Sequence, residues 1–161
     1  METSGVSPIS FKFRGFKVDR IALDMKPQSH ILELADYSNH QWDINLSIRH
    51  ISYIIEHKIY IAGIDCNLKL YPKITEKKPE DIAAHLNIGC AGSFEVSENR
   101  FDKSTEDRIV KLQFAALLFS QLRGSISSIL ANSGYGSVLL PLINIHAMFE
   151  SKTEQIQINN L

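Results

Sequence analysis

The feature that most constrains this chain is an unbroken apolar run, Phe114–Phe119, inside a longer segment with helical spacing. Between Ile109 and Leu130, apolar side chains recur every three or four residues, which is the spacing of one helix face. At about 100° per residue, the apolar run covers the whole circumference of the helix. One small sheet covers only one side of such a helix. The segment therefore predicts a buried helix whose second side packs on another subunit.

Four stretches before this helix alternate apolar and polar residues, a pattern typical of strands with one buried face. They are predicted at Ile9–Asp24, Trp42–Arg49, Tyr60–Leu70 and Ala84–Val96. In the first stretch the alternation changes phase at Gly15, which predicts a β-bulge there. Residues 25–39 and 71–80 are predicted connections, whereas 51–57 fits either a strand or an irregular crossing. Strands this long in a short chain leave long sheet edges, which favours pairing with another subunit.

Signals for helix ends lie on both sides of the apolar segment. Ser104 or Thr105 is predicted to cap the start of the long helix, and Asn132-Ser133-Gly134 is predicted to end it. Asn144 is a suitable N-cap for a short last helix that ends near Phe149. The predicted order is four strands and then two helices. This order predicts an α+β fold, with the helices on one side of a four-stranded antiparallel sheet.

Length and composition narrow the functional classes. The chain has 161 residues, which suits a single domain of residues 1–161 with a core at about 9–150 and a polar tail at 151–161. A net charge of −1 without a clustered basic face argues against nucleic acid as a partner. The start of the sequence lacks the pattern of a secretory signal, and we expect no membrane insertion. Two cysteines, Cys66 and Cys90, are expected as buried thiols in a reducing cytoplasm.

The sequence contains no recognisable catalytic motif. Six histidines are dispersed without a zinc-binding spacing, no GxSxG elbow frames a serine, and the glycines do not form a phosphate loop. We therefore expect no cofactor, no metal and no enzymatic activity. Two alternatives to a polypeptide-binding function are a hot-dog-type acyl-thioester enzyme and an interaction module that pairs its sheet edge with one partner. The hot-dog fold places its helix after the first strand, whereas both predicted helices come last here.

Two stretches of the C-terminal half, Leu117–Arg123 and Leu140–Phe149, read LLFSQLR and LPLINIHAMF. The first resembles the helix motif (I/L)LFPYAR of the SecB family of export chaperones, with Ser120 in place of its proline. The second is similar to that family's L(A/P)P(V/I)NFxxL(F/Y) signature. A weaker similarity covers Gly92–Val96 and the strand that begins at Trp42.

The resemblance runs from about residue 11 to residue 149 and implies a SecB-like protein. Members of that family are homotetramers, built as dimers of dimers with helices between sheets. They bind unfolded polypeptides without ATP, for protein export. The resemblance thus implies an ATP-independent holdase, with a chaperone dedicated to one client, such as an antitoxin, as the alternative. Family members that deliver clients to SecA are strongly acidic. This chain has 17 basic against 18 acidic side chains, which argues against SecA as a partner.

The resemblance also assigns functional roles to individual residues. Carried onto this chain, the apolar client groove would be lined by Ile44, Leu46, Ile48, Phe94, Tyr135, Val138, Leu139, Leu140, Met148 and Phe149. Each of these residues has the alternative role of an ordinary core residue. The subunit interface would include Phe114, Ala115, Leu118, Phe119 and Leu122, and the structural motif residues would be Arg123, Pro141 and Asn144. A Leu118→Glu substitution is accordingly expected to split the oligomer.

Overall fold

A computed structural model describes residues 11–25, 41–49, 51–71, 82–97, 100–135, 140, 142–145 and 147–148. Five strands precede a long helical segment: β1 (Phe11–Met25), β2 (Gln41–Ile48), β3 (Ser52–Ile54), β4 (Ile59–Tyr71), β5 (Ala84–Val96), α1 (Lys103–Ile109) and α2 (Ala115–Leu130). Residues Val110–Phe114 and Ala131–Tyr135 are π-helical. The predicted α+β class with an antiparallel sheet followed by a helix is confirmed. The predicted number of four strands is wrong, because β3 is a fifth.

The five strands form one antiparallel sheet in the order β1-β5-β4-β2, and β3 pairs with the start of β4. The stretch at 51–57, ambiguous in sequence, contributes this short strand and part of the tight turn that follows. Lys58 closes the turn with φ of 52°, in the left-handed region that a tight turn requires. β1 lies at one edge of the sheet, and β2 with β3 forms the other edge.

β1 contains two irregularities in its pairing with β5. The register shifts between Phe13 and Gly15, which confirms the bulge predicted there, and shifts again between Val18 and Arg20. The second shift was not predicted. It places Asp19 and Arg20 consecutively on the same face of the sheet, whereas regular alternation would turn one of them towards the helix.

The core lies between the helical segment and one face of the sheet, called here the helix side. Alternate residues of β4 and β5, such as Leu68 and Leu86, are fully buried on this side. Phe114 stacks on Phe94 with ring centroids 3.9 Å apart. Leu118 lies directly over Gly92, where an added Cβ would come within 2.6 Å of its Cδ2. The opposite side of the sheet is called the outer face.

The ends of the helical segment differ from their predictions. Asp102 is the cap of α1, because its Oδ1 accepts a hydrogen bond from the Thr105 N–H at 2.7 Å; the prediction of Ser104 or Thr105 is wrong. Asn132-Ser133-Gly134 does not end the helical segment, which continues to Tyr135. Met25 and Tyr71, predicted as the first residues of the connections 25–39 and 71–80, are instead the last residues of β1 and β4. The rest of both connections, and the tail at 151–161, lie outside the described residues.

The continuous helical segment Lys103–Ser133 is long and apolar enough, by length and composition alone, to cross a membrane. The core helix of a soluble protein passes the same test. Here one side of α2, from Ala115 to Leu130, is buried against the sheet and the remaining core. This packing is that of a core helix.

Candidate functional site

The five residues predicted for the subunit interface lie on the sheet-facing side of the helical segment. Their positions, Phe114, Ala115, Leu118, Phe119 and Leu122, follow helical spacing along one face, and each is at most 3% exposed within the chain itself. These side chains are already buried in the core of the single chain, and their role in a subunit interface stays a prediction. Within the apolar run Phe114–Phe119, Leu117 is the large side chain that is exposed, at 37%.

The residues predicted for the client groove separate into two groups in the structure. Leu46, Phe94 and Leu140 are buried in the core, at 2% exposure or less, which matches their alternative role as ordinary core residues. Ile44, Ile48 and Met148 are only half-buried and pack at the margin of that core. The side chains of Tyr135, Val138, Leu139 and Phe149 lie outside the described residues.

One polar contact joins the C-terminal segment to α2, and a second lies within that segment. The Arg123 Nη2 donates a hydrogen bond to the Leu140 carbonyl oxygen at 2.7 Å, so this motif residue ties the helix to the segment that follows it. The Asn144 Oδ1 accepts a hydrogen bond from the Ala147 N–H at 3.1 Å, which confirms the predicted N-cap. Pro141 lies outside the described residues. Leu140 and Ile145 are buried and belong to the core, so the segment covers part of the helix side.

A margin of half-buried apolar side chains follows the β2 and β3 edge of the sheet; it is called here the β2 rim. Its members are Trp42, Ile44, Ile48, Ile51 and Tyr53, all of which pack against the core while remaining partly exposed. Sequence reasoning included Ile44 and Ile48 but omitted the other three. Trp42 carries the same alternation as the two predicted isoleucines, so the omission was avoidable. Ile51 and Tyr53 become part of the rim only because β3 continues the edge beyond β2.

An aromatic cluster extends the β2 rim towards the start of α1. The ring of Tyr53 is 4.7 Å from that of Tyr60, and Phe101 stacks on Tyr60 at 5.3 Å with an interplanar angle of 11°. The Tyr60 hydroxyl donates to Glu106 Oε2 at 2.9 Å and accepts the Phe101 N–H at 3.0 Å. Burial raises the pKa of Tyr60 to about 12, so the phenol remains protonated and able to donate.

The outer face carries a charged cluster assembled from β1, β4 and the residue after β2. Arg49 follows β2 and reaches across the sheet, where its guanidinium donates to both carboxylate oxygens of Asp19 at 2.9 and 3.0 Å. Its Nε lies 3.4 Å from Asp65 Oδ1. The hydrogen bonds from Arg49 hold the pKa of Asp19 below its usual value. Gly63 and Gly89 make room for this cluster, since an added Cβ at Gly89 would lie 2.5 Å from Asp65 Oδ1.

Beside this cluster, the outer face has a shallow concavity of about 490 Å³. Its polar lining residues are Arg20, Asn45, Ser47, Asp65, Asn67 and Asn87. Such a lining suits water and polar groups and does not suit an apolar client segment. Among the described residues, no group of three or more His, Cys, Asp or Glu side chains is close enough together to hold a metal ion.

The two cysteines are free thiols on the buried side of β4 and β5, as predicted. Burial raises the pKa of Cys66 to about 12 and that of Cys90 to about 11. Both thiols are therefore protonated near neutral pH, and a protonated thiol is a poor nucleophile. Their surroundings give them the role of small apolar core residues.

Comparison with known proteins identifies the fold. No family model matches the sequence. An uncharacterized protein of Methanocaldococcus jannaschii is 34% identical over 85 residues, which are 51% of this chain and 54% of that protein, so the chain matches about half of that relative's length. A protein of unknown function from Streptococcus agalactiae superposes with a TM-score of 0.45 at 9% identity, over 84% of this chain and all of that one.

A stronger structural similarity is to the Mycobacterium tuberculosis Rv1957 SecB-like chaperone, solved in complex with a ChAD peptide from the Rv1956 HigA1 antitoxin. It superposes with a TM-score of 0.63 at 10% sequence identity, and the match covers 83% of this chain and 90% of that one. This chain shares with a SecB-like fold an antiparallel sheet followed by a helix, the order that the alternation and the helical spacing predicted. This chain has a SecB-like fold.

Proposed function

We propose that this protein is an ATP-independent chaperone that binds unfolded polypeptides along the β2 rim. The observation that carries the proposal is a row of half-buried apolar side chains at the edge of a SecB-like sheet. These side chains have apolar surface left after the chain has folded. An extended client covers that surface with its own apolar side chains. Because apolar burial has no direction, clients of many different sequences can bind.

The affinity for a client can be estimated from the apolar side chains that the client buries. A fully enclosed client side chain contributes roughly 1.5 to 3 kcal/mol, and the ordering of a flexible client removes much of that gain. A few anchors along one rim then give an affinity on the order of micromolar, or about −8 kcal/mol. Several rims in one assembly would strengthen binding through effective concentration. The proposed cycle of capture and release needs no nucleotide and no catalytic step, and we propose that it takes place in the cytoplasm.

The direct test is suppression of aggregation. The purified protein should slow the light-scattering increase of a reduced, unfolding client when mixed at near-stoichiometric ratio, without ATP. An unchanged aggregation curve at molar excess would contradict the proposal. Aspartate in place of Ile44 or Ile48 should weaken the effect. Aspartate in place of Ser47, which is exposed on the outer face of the same strand, should leave it unchanged.

A chaperone dedicated to one client, such as an antitoxin, is the second candidate. It is favoured by the antitoxin peptide bound to the structurally similar Mycobacterium tuberculosis protein. Delivery of clients to SecA is not part of the proposal, because the outer face is not acidic: Arg14 pairs with Glu95, and Arg49 pairs with Asp19. Affinity purification from lysate separates the two candidates, since a dedicated chaperone returns one dominant client and a general holdase returns many.

Assembly into a dimer of dimers is also proposed, now through the exposed side of α2. Small side chains recur there at every fourth position, Ala116, Ser120, Gly124 and Ser128, with Leu117 beside them. A ridge of small residues lets a second helix approach closely. An added Cβ at Gly124 meets nothing within 4 Å in the single chain. Leu117→Glu and Gly124→Leu should therefore keep the fold but reduce the mass measured by light scattering after size-exclusion chromatography; an unchanged mass would rule out this interface.

A further inference from the structure

Just before the helical segment, two consecutive residues contact one site through a ring, a main-chain N–H and a guanidinium group. Arg100 and Phe101 belong to no helix or strand, yet both lie on a site formed by Tyr53, Tyr60 and Glu106. This site is called here the Tyr60 box. Phe101 stacks on the ring of Tyr60 at 5.3 Å and donates its backbone N–H to the Tyr60 hydroxyl at 3.0 Å. A polypeptide segment is thus held by its ring and by its main chain together.

Arg100 completes the contact. Its Nε donates to Glu106 Oε2 at 3.1 Å, and its guanidinium carbon lies 5.9 Å from the centroid of the Tyr53 ring. The hydrogen bond from Arg100 holds the pKa of Glu106 below its usual value, so the carboxylate is an anion near neutral pH. The box therefore offers the ring of Tyr60, the ring of Tyr53 and the negative charge of Glu106. Phe101 and Arg100 together contact all three.

The contact is built so that it can open without unfolding the helix. The cap of α1 is complete without Arg100 and Phe101, because Asp102 Oδ1 and Oδ2 accept from the Thr105 N–H and hydroxyl at 2.7 and 3.0 Å. Arg100 is highly exposed, with 63% of its side chain accessible, whereas Phe101 is half-buried. An exposed ion pair contributes little to stability. Tyr60, by contrast, is fully buried beneath them and stays with the sheet.

We propose that Arg100 and Phe101 act as an internal substitute for a client, occupying the Tyr60 box until a basic residue followed by an aromatic residue in an unfolded polypeptide displaces them. This inference deepens the proposed chaperone function and rests on it. The occupied box is an autoinhibitory contact: a client gains only the difference between its own contacts and those it replaces. The apparent affinity for a client is the intrinsic affinity multiplied by the fraction of molecules in which the box is open.

The test uses a fluorescein-labelled nonapeptide of Gly, Ser and Ala residues carrying one central Arg-Phe pair, and a matched peptide with Ala-Ala at the same positions. Fluorescence anisotropy measures the affinity of each for the wild type and for Phe101→Ala. We expect Phe101→Ala to bind the Arg-Phe peptide roughly three- to tenfold more tightly than the wild type, the scale of one aromatic contact. The affinity for the Ala-Ala peptide should not change. Equal affinities of the two proteins for the Arg-Phe peptide would overturn the inference.

Two further measurements keep the test decisive. Phe101→Leu retains apolar volume but not the ring, so it should give a smaller gain of the same sign even if Phe101→Ala folds poorly by circular dichroism. A photo-crosslinking residue in place of the peptide's Phe should attach to the β3–β4 hairpin; attachment confined to other regions would overturn the inference. If neither protein binds the Arg-Phe peptide while the wild type still suppresses aggregation, this inference fails and the chaperone function stands. Failure of both assays removes both proposals.

Discussion

The two faces of the sheet obtain their stability in different ways. On the helix side, residues such as Leu86 and Ile88 are buried against apolar neighbours, and one apolar neighbour can replace another because burial has no direction. On the outer face, the Arg49 guanidinium donates two hydrogen bonds to Asp19 in a fixed geometry. Gly63 and Gly89 lie beside this pair, where an added Cβ would crowd the cluster. This difference supports the proposed binding of foreign chains at the exposed margin of the helix side, whereas the contacts of the outer face depend on fixed directions.

The largest expected effect comes from a charge on the helix side. Leu118→Glu should unfold the chain, because Leu118 is completely buried over Gly92 and an unpaired buried charge costs several kcal/mol. Loss of the folded circular dichroism spectrum is the expected result, in place of the separation of subunits predicted from sequence. Leu117→Glu is the matched control on the next residue, which is 37% exposed, and it should fold. A folded Leu118→Glu variant would show that α2 is not packed on the sheet as described.

A smaller effect is expected from added volume at the contact between β5 and α2. Gly92→Val should lower the unfolding free energy by about 1 to 3 kcal/mol, because its Cβ would lie 2.6 Å from Leu118 Cδ2 and the core is already filled. Urea denaturation measures the change. The control is Gly124→Ala on the exposed side of α2, measured at a protein concentration at which the chain is a monomer. Nothing lies within 4 Å there in the single chain, and the better helix former should stabilise by roughly 0.5 to 1 kcal/mol. Effects of equal sign at the two glycines would contradict the assignment of the faces.

On the outer face, Arg49→Met should lower the unfolding free energy by about 1 kcal/mol near neutral pH, since the hydrogen bonds to Asp19 are charged but partly exposed to water. The pKa of Asp19 is lower in the folded chain than its ordinary value of 3.8. This contribution is therefore fully present above about pH 4 and is lost as the pH falls through the folded-state pKa.

The difference between the wild type and Arg49→Met in urea denaturation should accordingly shrink in acid. Arg14→Met is the control, since the pair of Arg14 with Glu95 is more exposed, at 45% and 38%, and should contribute less. A difference that stays constant down to pH 2 would separate Arg49 from the ionisation of Asp19.

The smallest change in unfolding free energy is expected from a substitution in the C-terminal segment that covers part of the helix side. Asn144→Ala should cost about 1 kcal/mol, because the Ala147 N–H loses its side-chain acceptor. Asn144→Asp keeps an acceptor oxygen and should stay close to the wild type in the same denaturation experiment. Equal losses in both variants would show that Asn144 acts through something other than capping.

The helix side could be predicted from sequence because the alternation of apolar and polar residues within each strand shows which residues are buried. Alternation located β5 at Ala84–Val96 with both ends correct, and the phase change at Gly15 located the first bulge of β1. The outer cluster could not be predicted, because it joins Arg49, Asp19 and Asp65 from separate parts of the chain, and their proximity depends on the register of the sheet.

The roles assigned to residues of the candidate site also depend on the arrangement of helix and sheet, which the sequence does not show. An apolar run shows that a helix is buried but not which neighbour buries each side, so five sheet-facing residues, Phe114, Ala115, Leu118, Phe119 and Leu122, were assigned to a subunit interface. Sequence alone also could not separate Phe94, fully buried under Phe114, from Ile44 at the open margin. The choice between core and groove depends on where the helix lies across the sheet.

Photo-crosslinking at two adjacent residues of β2 tests the central claim most directly. Ile44 lies on the β2 rim, and Asn45 is exposed on the outer face of the same strand. A photo-crosslinking side chain is placed at position 44 or 45, and the protein is illuminated with a reduced, unfolded client. We predict efficient attachment of the client from position 44 and little from position 45. Equal attachment from both positions, or attachment from position 45 alone, would contradict binding along the β2 rim.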